Sequence, residues 1–166
     1  RQDVAPVELR RLLTTLTSVA NETRLGHDVA VETRFEGGPT DTFSVRGHDS
    51  RLGQVISNLV VNAQSFSESG GKVHVVCRRI KSEIEIVVDD NGPGIREDAL
   101  ERIFERFYTD RPHQGFGQNS GLGLSISKQI VEAHRGRIWA ENRAGPPDDS
   151  GTATIAGARF VIRLPT

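Results

Sequence analysis

The sequence predicts a single domain of the α/β class. Its 166 residues are the length of one domain, enough to bury about 70% of the unfolded surface around a single core. Apolar residues recur at helical spacing in three stretches, and runs with strand-like alternation lie between them.

Leu9, Leu12, Leu13, Leu16, Val19 and Ala20 stand at i, i+3, i+4 and i+7, which predicts an amphipathic helix from Val7 to about Glu22 with Pro6 near its start. Val29 to Phe35 and Thr42 to Arg46 read as strands on either side of the turn Gly37-Gly38-Pro39, together forming one sheet edge. A second apolar stripe, Leu52, Val55, Ile56, Leu59, Val60 and Ala63, predicts a helix capped by Asp49 or Ser50. Lys72 to Arg79 and Glu83 to Asp89 read as paired strands around Lys81-Ser82. A short helix is expected over Arg96 to Ile103, a Gly- and Gln-rich loop over Thr109 to Ser120, and a longer helix from Gly121 to before Gly136. Arg137 to Glu141 and Arg159 to Leu164 close the sheet, with Gly145 to Gly151 as an exposed connector.

Bulk composition narrows the function. Lys and Arg number 21 against 22 Asp and Glu, a net charge of −1, so no global field steers nucleic acid or an anionic membrane. The one cysteine, Cys77, excludes a disulfide framework and a Cys-rich zinc site and fits a reducing cytoplasm. No apolar run approaches the ~18 residues of a membrane span, and no signal-peptide core is present.

The chemistry concentrates in three places, in order along the chain at spacings of roughly 30 residues. On the second helix Asn58, Asn62 and Ser65 form a polar stripe beside the apolar one. Asn62 offers a neutral carbonyl oxygen to a hard cation such as Mg²⁺, which keeps several waters while bridging to substrate phosphates. Next, Asp90-Asn91-Gly92-Pro93-Gly94 follows an apolar strand. By itself the string is an Asp-Asn-Gly-Pro turn; at a pocket rim, the Asp90 carboxylate accepts a hydrogen bond from an adenine amino group, where guanine presents a carbonyl. Gly92 and Gly94 would let backbone approach the purine, and Ile95 would contact the base. Asp89 is the rival carboxylate, and strand alternation favours Asp90. Last, Gly121-Leu122-Gly123-Leu124 opens a helix, where bare N–H groups and a positive helix end receive phosphate.

Together these motifs resemble the catalytic ATP-binding domain of bacterial sensor histidine kinases, within the gyrase/Hsp90/histidine-kinase/MutL (GHKL) superfamily. The resemblance runs from Arg51 to Pro165, about two-thirds of the chain. It implies a Bergerat-type two-layer α/β sandwich, a mixed sheet of about five strands against three helices, binding ATP and Mg²⁺. The family uses the residue at Asn62 as its Mg²⁺ ligand, with Asn58 beside the nucleotide and Asp90 selecting adenine. Phe104-Glu105-Arg106-Phe107-Tyr108 resembles the family's aromatic box, and residues 109–120 its lid, most like ChvG/ExoS-type kinases of alphaproteobacteria. Phe104 and Phe107, at i and i+3, also read as core residues. Two departures stand out: family members often carry basic residues where this chain has Ser65 and Thr109. Arg111 is then expected to meet the phosphate charge, with His113 as second choice.

Hydrolytic members of the superfamily place a Glu base four residues before the magnesium Asn, and here that position is Asn58. An amide cannot take a proton from water. Transfer to a protein side chain is therefore expected over a Hsp90-, MutL- or gyrase-like ATPase or a catalytically inert nucleotide-binding module. None of His27, His48, His74, His113 and His134 has the sequence setting of the family's acceptor histidine. Residues 1–8 are accordingly read as the linker from an absent dimerisation and phosphoacceptor domain, and 9–166 as the catalytic domain. No catalytic acceptor or base is expected in this chain. Expected partners are that domain and a response-regulator receiver domain, with no nucleic acid and no membrane contact by a monomeric fragment. The expected location is cytoplasmic, in a full-length protein of the bacterial inner membrane.

Overall fold

A computed structural model describes residues 4–23, 28–37, 42–108 and 123–166. Strand β1 (Ala5–Glu8) leads into helix α1 (Leu9–Thr23), followed by β2 (Ala30–Glu36), β3 (Ser44–Gly47) and helix α2 (Asp49–Phe66). Strands β4 (Lys72–Ile80) and β5 (Glu83–Asp89) come next, then 3-10 turns at Glu97–Ala99 and Arg102–Phe104, helix α3 (Gly123–Ala133), and strands β6 (Arg137–Gly145) and β7 (Thr154–Pro165). The main sheet has the order β2-β4-β5-β7-β6. Only β2 and β4 run parallel; the other neighbours are antiparallel. The expected mixed five-stranded sheet against three helices is what the described residues form.

Strand alternation sorts the two faces of this sheet. One face carries Val73, Val75, Cys77, Ile84, Ile86, Val88, Phe160, Ile162 and Leu164, all buried, and the helices close over it with Leu9, Leu13, Val55, Ile56 and Leu59. The other face carries charge. Its cross-strand row Arg78, Glu85, Arg163 is joined by Arg78 Nε to Glu85 Oε1 at 2.8 Å and Arg163 Nε to Glu85 Oε2 at 2.9 Å.

Several expectations are corrected. β2 and β3 are not neighbours: β2 pairs along its whole length with β4, while β3 pairs with β1 through Val7↔Val45 in a separate two-stranded sheet. Seven ladder positions on β4 outweigh the four β3 could offer. Residues 5–8, within the stretch read as linker, are the β1 that makes this pairing possible, and Val7 is buried. Helix α1 consequently starts at Leu9, not Val7, with the Leu9 N–H donating to the Phe43 carbonyl at 2.8 Å. Neither Asp49 nor Ser50 caps α2; His48 holds the cap position without a side-chain bond, and Asp49 places its negative charge in the positive first turn. The helix expected over 96–103 is two short 3-10 turns, Glu97–Ala99 and Arg102–Phe104. β6 and β7 are longer than expected because a register shift at Arg143/Ala144 lets pairing continue to Gly145↔Thr154.

Candidate nucleotide-binding site

β5 ends at Asp89, and Asp90 follows it directly; the alternation of the extended chain sends the two carboxylates to opposite faces. Asp89 lies on the charged face and is held by Arg159, whose Nε and Nη2 donate to its two oxygens at 2.7 and 2.9 Å. The Asp89 hydrogen bond in turn raises the Arg159 guanidinium above its ordinary range. Asp89 is thereby committed to structure.

Asp90 points the other way and is only 3% exposed. Its Oδ1 accepts from the N–H groups of Gly92 and Ala158, both at 2.9 Å. Its own N–H donates to the Ala158 carbonyl at 3.0 Å, and its carbonyl accepts from Arg143 Nη1 at 2.6 Å. A residue held at carboxylate, amide and carbonyl has one orientation, which is what a specific acceptor requires.

The glycines beside it answer to the protein's own packing. A Cβ on Gly92 would overlap the Phe66 carbonyl oxygen at the end of α2, so Gly92 lets the loop lie on that helix. Gly94 has φ +85°, and a Cβ there would come within 2.6 Å of Ile155 Cγ2 and 2.7 Å of Asn142 Oδ1. Ile95 is buried in the core cluster, with its backbone bonded on both sides to Asn142.

Asn58 sits at the seam of α2 and α3. Its Nδ2 lies 3.5 Å from the Gly123 carbonyl and 3.4 Å from Ser127 Oγ, long contacts that orient it toward the start of α3. One turn on, the Asn62 side chain is half-buried and makes no hydrogen bond among the described residues. Ser65 turns back onto its own helix, its hydroxyl donating to the Asn62 carbonyl at 2.8 Å. Gly123 and Leu124 begin α3, and Leu124 packs against the core. Asn58 thus meets the α3 N-terminus.

The aromatic box divides. Phe104 is buried edge-on against Phe160 with ring centres 6.1 Å apart. Phe107 is not a core residue: it has φ +64° and is 65% exposed. Tyr108 is half-buried, its hydroxyl accepting from Arg96 Nη2 at 3.2 Å and its ring 4.8 Å from the Arg102 guanidinium. Arg111, His113, Gly121, Leu122 and the 109–120 lid lie outside the described residues, as does His27.

The donor set suits a magnesium nucleotide. Among the described residues no group of three or more His, Cys, Asp or Glu could hold a metal by itself. A single amide oxygen such as that of Asn62 fits an ion that takes most of its ligands from phosphates and water. Sequence reasoning missed Asn142, Arg143 and Ala158, which hold the Asp90 loop across 47 to 68 residues of chain. The available signal was Gly157, an isolated glycine in a strand-like run whose Cβ would overlap the Asp90 carbonyl.

Sheet order and helical layer define a two-layer α/β sandwich. It belongs to the histidine kinase-, DNA gyrase B- and HSP90-like ATPase family, whose model matches residues 47–166. Within that family it is of the histidine-kinase type. The chain is 46% identical over 170 residues to the sensor protein ChvG of Agrobacterium fabrum, covering 99% of this chain and 28% of that protein. The chain therefore spans less than a third of the length of the curated relatives it matches. The catalytic domain of histidine kinase ThkA superposes with a TM-score of 0.80 at 26% identity, over 99% of this chain and 96% of that one. ThkA has also been solved with the response regulator TrrA; there the TM-score is 0.75 at 25% identity, over 98% of this chain and 41% of that one. Full-length ShkA in complex with AMPPNP matches with a TM-score of 0.78 at 25% identity, over 99% of this chain and 31% of that one.

Proposed function

We propose that this domain binds Mg-ATP and presents the γ-phosphate to a histidine on a dimerisation and phosphoacceptor domain outside the chain, for relay to a response-regulator aspartate. The observation that carries the reading is Asp90, a buried carboxylate at a strand end with Oδ1 fixed by two N–H groups. It would accept the adenine amino group, while Gly123 and Leu124, with Gly121, Leu122 and Arg111, would receive the phosphates. Asn62 would hold Mg²⁺, whose chemistry is to neutralise charge on the phosphate oxygens. The protein's own contribution is positioning.

The described histidines have other work. His134 bridges α3 to α2: its Nδ1 lies 2.8 Å from the Ile130 carbonyl, and its Nε2 accepts the His48 N–H at 3.0 Å. His74 is exposed, 3.7 Å from Glu32. Asn58 in place of a Glu base argues against autonomous hydrolysis. No described helix is long and apolar enough to cross a membrane; we read this domain as a monomeric, cytoplasmic part of an inner-membrane kinase.

The test is calorimetric titration with ATP in Mg²⁺ beside a GTP control, then labelled ATP with the phosphoacceptor domain of a ChvG-type kinase supplied in trans. Micromolar ATP affinity, about −7 to −8 kcal/mol, no GTP binding and label on the acceptor histidine are expected. Steady phosphate release without acceptor would overturn the transferase reading in favour of an ATPase.

A further inference from the structure

The chain from Asp90 to Ile95 leaves the sheet after the Asp90 N–H has reached the Ala158 carbonyl at 3.0 Å. At its far end the Ile95 N–H donates to Asn142 Oδ1 at 2.8 Å, and the Ile95 carbonyl accepts from Asn142 Nδ2 at 2.6 Å. One side-chain amide thus bonds both backbone groups of Ile95, as a neighbouring strand would. Its orientation is forced, since an N–H can only donate and a carbonyl can only accept.

Gly94 belongs to the same device. At φ +85° it turns the chain, and a Cβ there would stand 2.7 Å from Asn142 Oδ1. The second glycine of the motif opens the space that the Asn142 amide fills. The next residue on β6, Arg143, reaches the other end of the loop, donating to the Asp90 carbonyl at 2.6 Å. Asn142 pairs with Ala158, whose N–H fixes the Asp90 carboxylate, and the register shift follows directly at Arg143/Ala144. Two consecutive β6 residues therefore grip the loop, Arg143 at Asp90 and Asn142 at Ile95.

We propose that Asn142 is a positioning residue of the nucleotide site: by holding the Ile95 backbone it sets the path of the glycine loop relative to Asp90, and nucleotide affinity depends on it. This rests on the ATP reading above. Asn142 acts through the loop, and its side chain is not part of the buried apolar core.

The test titrates Mg-ATP into the parent, Asn142→Ala and Asn142→Asp, with thermal unfolding of each. Loss of two neutral hydrogen bonds predicts about ten- to thirtyfold weaker binding for the Ala variant. The Asp variant keeps an acceptor for the Ile95 N–H but turns a carboxylate oxygen toward the Ile95 carbonyl, so near pH 8 it binds no better than Ala. Toward roughly pH 5 a protonated carboxyl supplies the missing O–H donor, and the ratio of its Kd to the parent's falls. Glu141, Arg143, Asp90 and Arg96, the charged residues flanking this contact, are present in both proteins, so the ratio isolates what the carboxyl at position 142 adds, its coupling to them included. A merely structural role would lower the melting temperature without pH-dependent recovery of affinity. Ala binding within twofold of the parent, or an Asp-to-parent ratio constant across this range, overturns the proposal. If Ala fails to fold, the Asp comparison decides alone. A parent that binds no Mg-ATP refutes the ATP reading instead.

Discussion

Replacing Asp90 by Asn keeps shape and removes charge, and the surrounding bonds dictate how the new amide must sit. Oδ1 accepts from the Gly92 and Ala158 N–H groups at 2.9 Å each. Turning an NH₂ toward those donors would set donor against donor twice, so the amide oxygen stays there and the NH₂ takes the place of Oδ2. On the proposed reading, an adenine amino group directed at this side chain then meets a donor in place of an acceptor. The lost charge-assisted bond is worth about 1.5–3 kcal/mol, and the mismatched pair adds about 1 kcal/mol. ATP affinity should fall by roughly 50- to 1000-fold. Because both backbone donors keep a partner, the apo protein should lose only about 1 kcal/mol of stability. Calorimetry with ATP and GTP, paired with urea unfolding, separates the two effects. An Asp90→Asn protein that binds ATP within threefold of the parent would refute the assignment of Asp90 to the base.

Gly92→Ala should destabilise the fold by about 2–4 kcal/mol, since its Cβ would overlap the Phe66 carbonyl; the urea midpoint reports it. Arg159→Met should cost about 1–2 kcal/mol, because Asp89 loses both close hydrogen bonds while Arg143 remains 3.7 Å away. Burial pushes the Cys77 thiol up from 9.0 to about 12. The folded state therefore holds the proton more tightly, so this contribution is complete below about pH 9 and lost at about 1.4 kcal/mol per pH unit as pH rises towards 12. Cys77→Ala should flatten that part of the alkaline stability profile, and the parent thiol should resist aromatic disulfide reagents until the protein unfolds. The Asn142 titrations complete the set.

Local patterns carried most of the architecture. The α2 stripe from Leu52 to Ala63 and the alternation along β4 and β5 each report a buried face, and all three elements form where periodicity puts them. The placement of Asp90 immediately after β5 is readable because its strand, turn and glycines are contiguous. What stayed hidden depends on pairing between distant segments. Four residues around Pro6 carry no period that separates a strand from the start of a helix, so β1 was merged into α1. Nothing in the stretch around β2 says that its partner is β4, because parallel pairing leaves no turn between the strands. Asn142 belongs to no motif; its significance comes from a contact made 47 residues away.

The same long-range stitching orders assembly in time. Asp90 is tied to Ala158 and Ile95 to Asn142, so the loop between them has no fixed path until β6 and β7 have joined the sheet. Contacts of such high sequence separation form late, after their loop-closure entropy has been met. A nascent chain or a truncation ending before β7 would carry every glycine of the motif and still be unable to hold a base. Nucleotide binding would then be the last property acquired, and ATP a proofreader of the finished fold.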